Sequence, residues 1–312
     1  MPPRNIQRPM IVRPRPHWLR LLFVWRGSIL SQILPQLAVT LALAIIVTLL
    51  HGQVLRWKVP MNFVPFSLIG LTLAIFLGFR NSTSYSRWWE ARVLWGSLLI
   101  ECRAAVRQAL TLVEGGGDAR LLALRLMALV HALRHQLRGT DPAADLARLL
   151  PPAEAERVTA ARYRPAMLLQ MAGEWLRDQR RQGRVDPAVV PALERPLDQI
   201  GVAVGGCERL ASTPIPFTYS VIIHRTIYLY CLLLPFGLVD SIGPMTPVIV
   251  TLVAYTFFAL EALGHEIEEP FGDSPNDLAL DAICWTIETS LRESLGDTDW
   301  PPQPQLRNFV LT

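Results

Sequence analysis

Residues 29–50 read ILSQILPQLAVTLALAIIVTLL, and no Asp, Glu, Lys or Arg interrupts the chain anywhere between Arg26 and Arg56. A helix rises 1.5 Å per residue and needs about 20 apolar residues to cross a hydrocarbon layer. This stretch meets that requirement alone. So does a second charge-free gap, Val59–Phe79 (VPMNFVPFSLIGLTLAIFLGF). A third apolar stretch, Thr226–Val239, reaches the length if it begins near Tyr219, which places His224 and Arg225 at its inner end. A fourth, Ser241–Leu260, is separated from the third only by Asp240. The pattern predicts four membrane helices in two hairpins, in an all-α membrane protein. Buried core helices of a soluble protein are the competing explanation, but charge-free runs beyond about 18 residues rarely occur there.

Composition agrees. Of 312 residues, 51% are hydrophobic and 18% charged, against roughly 25% charged in soluble domains. Such a chain is not disordered, since disorder needs low hydrophobicity and high net charge. The four cysteines, Cys102, Cys207, Cys231 and Cys284, are too few and too scattered for a disulfide scaffold. The formal charge is +4 from 30 basic and 26 acidic residues, and Lys58 is the only lysine. That balance gives no reason to expect nucleic acid as a partner; the lipid bilayer is the expected surrounding.

Arginine placement sets the expected orientation. Six arginines precede the first apolar stretch, and Arg80 to Arg209 holds nineteen, while the loop DSIGPMTP (240–247) holds none. Arg56 and Lys58, in the first outer loop, depart slightly from the rule. The expected organisation is a cytoplasmic N-terminal segment (1–26), a membrane hairpin (27–82), a cytoplasmic helical domain (83–214), a second hairpin (215–264) and a cytoplasmic C-terminal segment (265–312). The protein is expected in the plasma (inner) membrane with both termini inside. The long basic, proline-containing leader does not resemble a cleavable signal.

The middle region alternates apolar and charged residues with helical period: RLLALRLMALVHALRHQL (120–137), RPAMLLQMAGEWLRDQRRQG (164–183) and PALERPLDQIGVAVGGCERLAS (191–212). Gly115-Gly116-Gly117 and Thr140–Pro152 read as its breaks. No alternating strand pattern and no internal repeat is visible. The domain reads as continuous with the membrane helices, and the PPQPQ tail (301–305) as extended and exposed.

Within FSLIGLTLAIFLGF (66–79), two ridges run at spacing four. Gly70, Ala74 and Gly78 form a small-residue ridge, which lets helices approach closely in lipid. Leu71, Ile75 and Phe79 form a bulky ridge about 100° round the helix. Spacing alone leaves two readings open: both ridges pack against neighbouring helices, or the small ridge packs subunit against subunit while the bulky one makes a hydrophobic constriction. Trp88 and Trp89 in the following run RNSTSYSRWWEARVLWG read as interfacial anchors. His131 and His135, four apart on a helix, could share zinc, but no third ligand is near and a solvated face is expected. His265-Glu266 lacks the second histidine of a zincin motif. The carboxylates Glu266, Glu268, Glu269, Asp273, Asp277 and Asp281 could hold calcium; a charged loop held by arginines of the same domain is the expected alternative. No Walker loop, dinucleotide fingerprint, nucleophile elbow or kinase motif is present.

Four runs in order resemble the bestrophin family, including its bacterial branch: Trp25-Arg26-Gly27-Ser28-Ile29, Phe66 through Gly96, Ile215-Pro216-Phe217-Thr218-Tyr219, and Glu269-Pro270-Phe271-Gly272 with its acidic sequel. The resemblance spans roughly residues 18 to 290. It implies a homopentameric channel for monovalent ions, with four membrane helices per subunit and a cytoplasmic helical domain around one pore. It assigns Leu71, Ile75 and Phe79 to the family's apolar neck, and Ala188, following Asp186-Pro187, to a second cytoplasmic aperture. Family members commonly carry a bulkier aliphatic residue there, so alanine implies a wider inner exit. The family's calcium clasp falls on Asp273, Asn276 and Asp277, but Ser274 replaces a carboxylate and Pro275 breaks the run. That argues against calcium activation, and no other cofactor is implied. The sign of the ion stays open, chloride or other anions by analogy with animal members and cations by analogy with the bacterial branch. Two readings of other classes stand beside the channel. One is a membrane metalloenzyme using His131, His135, His265 and the 266–281 carboxylates; the other is a scaffold without transport.

Overall fold

The computed structural model describes residues 18–21, 28–54, 57–58 and 61–304. The leader arginines before Trp18, the triplet Trp25-Arg26-Gly27, Arg56 and Gln305 lie outside the described residues. After a single turn α1 (Trp18–Leu21), the helices are α2 (Leu30–Leu49), α3 (Phe63–Leu112), α4 (Ala119–Arg138), α5 (Ala143–Leu149), α6 (Pro152–Ala160), α7 (Arg164–Arg181), α8 (Val190–Ser212), α9 (Phe217–Ile242), α10 (Thr246–Glu268) and α11 (Leu280–Ser294). Two compact units emerge. The membrane unit takes the described residues through Arg87 together with 214–269; the polar unit takes 88–213 and 270–304.

The membrane unit holds three helical stretches long and apolar enough to span a bilayer, Leu30–Leu49, Phe63–Leu112 and Phe217–Glu268. The last, at 52 residues, is far longer than the roughly 20 a single crossing needs. It folds back at a 3-10 turn, Gly243–Met245, into α9 and α10, which pack on each other. The protein is thus a helical membrane protein, and among the described residues α2, α3, α9 and α10 are its apolar helices. Helix α2 packs chiefly along α10, burying one stripe of Ile33, Thr40, Ala44 and Val47. Between α2 and α3 the chain forms an antiparallel pair, Gln53–Val54 with Trp57–Lys58, too short to leave an alternating pattern in the sequence.

The core of this unit joins Phe66, Leu73 and Leu77 of α3 to Ile227, Tyr230 and Leu234 of α9 and Phe258 of α10. Around it Leu34, Val39, Ile46, Leu49, Leu229 and Leu252 stay exposed. Soluble proteins rarely leave so much contiguous apolar surface open; lipid accepts it without cost.

In the polar unit, α4 is the central helix, packed on α5, α7 and α11, while α7 also packs on α8. Asp118 caps α4, accepting from Leu121 N at 3.2 Å. Gly139 closes it in the left-handed conformation with φ 64°, which glycine adopts without steric cost. The stretch 140–152, expected as a break, contains α5. Asp141 Oδ1 accepts from Ala143 N at 3.1 Å and starts the helix, and Leu146 and Leu149 are buried. The tail begins as expected without helix, but Pro301 O accepts from Trp285 Nε1 at 2.8 Å.

Close approach in the membrane unit depends on missing side chains. A methyl at Gly237 would stand 2.6 Å from the Phe66 ring, a rigid neighbour. Gly237→Ala should therefore lower the stability of detergent-solubilised protein by about 1–3 kcal/mol through overpacking. Thermal denaturation checks this, and Phe66→Leu in the same chain should restore much of the loss.

Candidate functional site

Helix α3 buries one stripe: Phe66, Leu73, Leu77, Arg80, Ser84 and Trp88, continuing through Ala91, Trp95, Leu98 and Cys102. Spacings of three, four and seven keep these on one side of the helix. Leu71 and Ile75 each lie two residues before a stripe residue, which is about 200° round the helix. They point away from the chain's own core, as Phe79 does: Leu71 is 62% exposed, Ile75 50% and Phe79 64%. The small ridge divides. Gly70 faces its own chain, where a methyl would meet the Tyr230 hydroxyl at 2.8 Å, whereas nothing lies within 4 Å of the corresponding point at Gly78. Ala74 is exposed. Packing of subunit against subunit along the whole small ridge therefore does not describe Gly70, whose closeness serves α9 of the same chain.

The run Ile215–Tyr219 (IPFTY) carries no pattern of its own in the sequence beyond the resemblance. Here it has a mechanical role: Tyr219 OH donates to Phe76 O at 3.2 Å, tying α9 to the turn of α3 between Ile75 and Phe79. Ala188 lies exposed in the turn just before α8, its N–H donating to Asp186 Oδ1 at 2.8 Å.

The loop after α10 is tightly held. Trp88 is buried and its Nε1 donates to Asn276 O at 3.1 Å, so it fixes this loop rather than acting as an interfacial anchor. Trp89 stays exposed beside Arg92, whose guanidinium carbon lies 5.8 Å from its ring centre. Asp277 Oδ2 accepts from Ser274 N at 2.7 Å. Arg138 donates to Phe271 O at 3.3 Å and to Gly272 O at 3.2 Å, and pairs with Asp273 at 3.2 Å. The Arg138 guanidinium thus engages one carboxylate oxygen of Asp273 together with the carbonyls of Phe271 and Gly272. Among the described residues, no group of three or more His, Cys, Asp or Glu side chains is arranged to hold a metal ion.

His131 departs from the solvated face expected of it. It is buried, with Nε2 2.9 Å from Glu288 Oε2 on α11 and Nδ1 3.4 Å from Asp145 Oδ2 on α5. Arg148 of α5 donates to Glu288 at 2.5 Å, and Arg134 of α4 pairs with both Asp145, at 2.8 Å, and Asp281, at 2.7 Å. Burial alone would lower the His131 pKa, but the facing Asp145 and Glu288 carry it upward. His135 moves the other way, down, through burial and the adjacent Arg134; its Nε2 lies 2.6 Å from Arg134 Nη2 and its Nδ1 2.6 Å from Thr140 Oγ1. Asp145 is held well below the usual carboxylate range, first by His131. Burial would raise Glu288, yet His131 and Arg148 bring it down to about 2.

A histidine whose folded pKa is raised contributes stability that is complete below its unfolded value and is lost as pH rises through the folded value. The protection of α5 amides, taken relative to their intrinsic base-catalysed exchange rate, should therefore fall as pH rises above the ordinary histidine range. In His131→Gln that pH dependence should flatten, and an unchanged slope would dismiss His131 as its source.

Comparison with known proteins fits this architecture. Residues 10–293 match the family model described as bacterial/fungal bestrophin protein. The chain is 49% identical over 305 residues to a Ralstonia nicotianae protein named voltage-dependent anion channel-forming protein RSc3414, covering 97% of this chain and 100% of that one. It is 42% identical over 292 residues to voltage-dependent anion channel-forming protein YneE of Escherichia coli K12, covering 94% and 96%. A crystal structure of a bacterial bestrophin homolog from Klebsiella pneumoniae superposes with a TM-score of 0.83 at 41% identity, covering 86% of this chain and 100% of that one. The metalloenzyme reading has no support here, and the protein is not an enzyme. With its apolar helices, its long α3 and these relatives taken together, the chain belongs to the bestrophin family of ion channels.

Proposed function

We propose that copies of this chain, five by analogy with the family, assemble in the inner membrane around a central pore that passes monovalent anions. In this reading both termini and the polar unit lie in the cytoplasm, as the arginine-rich middle region favours. The Leu71/Ile75/Phe79 ridge forms the neck, and Ala188 borders a wide inner exit. The observation that carries the reading is the exposure of three bulky apolar side chains on the α3 face opposite its buried stripe. In the assembly that face lines the axis, where a ring of apolar side chains makes a constriction governed by wetting. Ala74 and Gly78, open in the single chain, allow α3 helices of neighbouring copies to approach. The anion assignment is supported by the names of the relatives from Ralstonia nicotianae and Escherichia coli. No calcium step belongs to it.

Purified protein in a planar bilayer under a potassium chloride gradient should reverse near the chloride potential. Reversal near the potassium potential would make the pore a cation pathway. Replacing Leu71, Ile75 and Phe79 together by alanine should raise single-channel conductance roughly twofold or more, and unchanged currents would remove the neck from these positions. Ala188→Leu should narrow the inner exit and lower conductance while leaving the assembly intact by size-exclusion chromatography.

A further inference from the structure

The turn of α3 that ends at Phe79 is followed by the most deeply buried charge among the described residues of the membrane unit. Arg80 is 2% exposed, on a stripe that is otherwise apolar from Phe66 to Leu77. Its guanidinium faces α10. Nη2 lies 3.4 Å from Glu268 Oε2, and Nη1 lies 3.9 Å from Glu261 Oε1. The two carboxylates are seven residues, or two turns, apart on one side of α10. Arg80 therefore stands between two acceptors, bonded to one and just beyond hydrogen-bond reach of the other. Its Nε and Nη1 have no hydrogen-bond partner among the described residues.

Both carboxylates have further ties. Glu261 accepts from His224 on α9, with Nδ1 2.9 Å away. Glu268 closes α10, and its backbone oxygen accepts from Arg87 Nε at 3.2 Å. In this arrangement the guanidinium is hydrogen-bonded to Glu268 and only within ion-pair distance of Glu261. Two pairings are available, and a displacement of about 1 Å along the interface exchanges them. Shifts of that size between packed helices are a common form of switching, because packed interfaces prefer discrete arrangements. Any axial shift of α3 at Arg80 also moves Phe79 and, one and two turns earlier, Ile75 and Leu71.

We propose that Arg80 is a positioning residue for the neck, its exchange between Glu268 and Glu261 setting how closely the Leu71/Ile75/Phe79 ridge constricts the pore. This rests on the neck reading above. Glu268 pairing and Glu261 pairing then correspond to two neck positions of different open probability.

The test records single channels of the full-length protein in planar bilayers. Glu261→Gln leaves Arg80 with Glu268, and Glu268→Gln leaves it with Glu261. The two substitutions should move open probability in opposite directions, each by a factor of about 3 or more. In an Arg80→Gln background neither should have an effect, whereas Arg80→Lys, which keeps the charge, should preserve the opposed responses. Where Glu268→Gln reduces the yield of folded protein, Glu268→Asp replaces it and should act in the same direction. Shifts of the same sign, or shifts that persist with Arg80→Gln, would reduce Arg80 to a structural ion pair and overturn the proposal. Opposed shifts that survive alanine at all three neck positions would overturn its route through the neck. The neck reading fails separately, in the conductance of the triple-alanine channel alone.

Discussion

A helix can give only one stripe to the rest of its own chain, and on α3 that stripe runs unbroken from Phe66 to Cys102. Much of the rest of its 50 residues, the Leu71/Ile75/Phe79 ridge included, is left exposed to lipid, water or another copy. The stripe changes chemistry along its length. It is apolar through Leu77, polar at Arg80 and Ser84, and apolar again from Trp88. The polar step coincides with the end of α10, where Glu261 and Glu268 are within reach. Burying a guanidinium is costly unless carboxylates face it, so here α3 meets α10 through charge and not through apolar packing alone. Tyr219 adds a second tie at Phe76 O, one turn earlier. The exposed ridge is thus carried by a helix whose contacts to α9 and α10 lie behind it, at the level of the ridge itself.

The polar unit is held together by a different balance. Helix α5 has seven residues and buries only Leu146 and Leu149. So short a helix is marginal by propensity and by area. Charge supplies what area does not: Asp145 meets His131, Arg134 and His135, while Arg148 reaches Glu288. The two histidines share Asp145 yet are driven in opposite directions, His131 toward its charged form and His135 toward its neutral form. Removing one member of such a buried set leaves its partners uncompensated. Hence α5 is attached cooperatively, through a network and not through independent pairs.

How much of this was legible in the sequence follows from the range over which each feature is decided. The apolar stretch 29–50 and the helices α4, α7 and α8 are set by local periodicity, and their bounds were readable to within a residue or two. The continuity of α3 was less visible, because RNSTSYSRWWE looks like a membrane boundary; yet it contains no Pro or Gly, and the helix runs through it. Helix α5 escaped because seven residues between Asp141-Pro142 and Pro151-Pro152 hold too few turns to show a period. His131 was misread because its partner Glu288 is 157 residues away, and an amphipathic pattern cannot say which polar residue on the inner edge of a stripe is buried with company. Arg80 was similarly hidden: a charge ending an apolar run reads as a boundary, and only the arrival of α10 makes it internal. The bulky ridge could be seen but not interpreted from spacing; family resemblance suggested its role, and exposure in the folded chain supports it.

The arginine-rich middle region illustrates why charge counts are a poor guide to what an ion meets. Nineteen arginines between Arg80 and Arg209 suggest a strongly positive lining. In the folded chain, Arg125 is bound to Glu154, Arg134 and Arg138 to Asp281, Arg148 to Glu288, Arg157 to Glu174 and Arg209 to Glu90. A paired guanidinium projects a dipole rather than a charge, and its field falls off quickly in water. The side chains of Leu71, Ile75 and Phe79 carry no charge either. A constriction of that kind discriminates by the cost of dehydration, which is steeper for divalent than for monovalent ions. In the proposed pore such a neck therefore selects valence and size and leaves the sign to the wider parts of the pathway. In the proposed pore the sign is set by groups that the ion pairs leave facing water, not by the arginine total of the sequence.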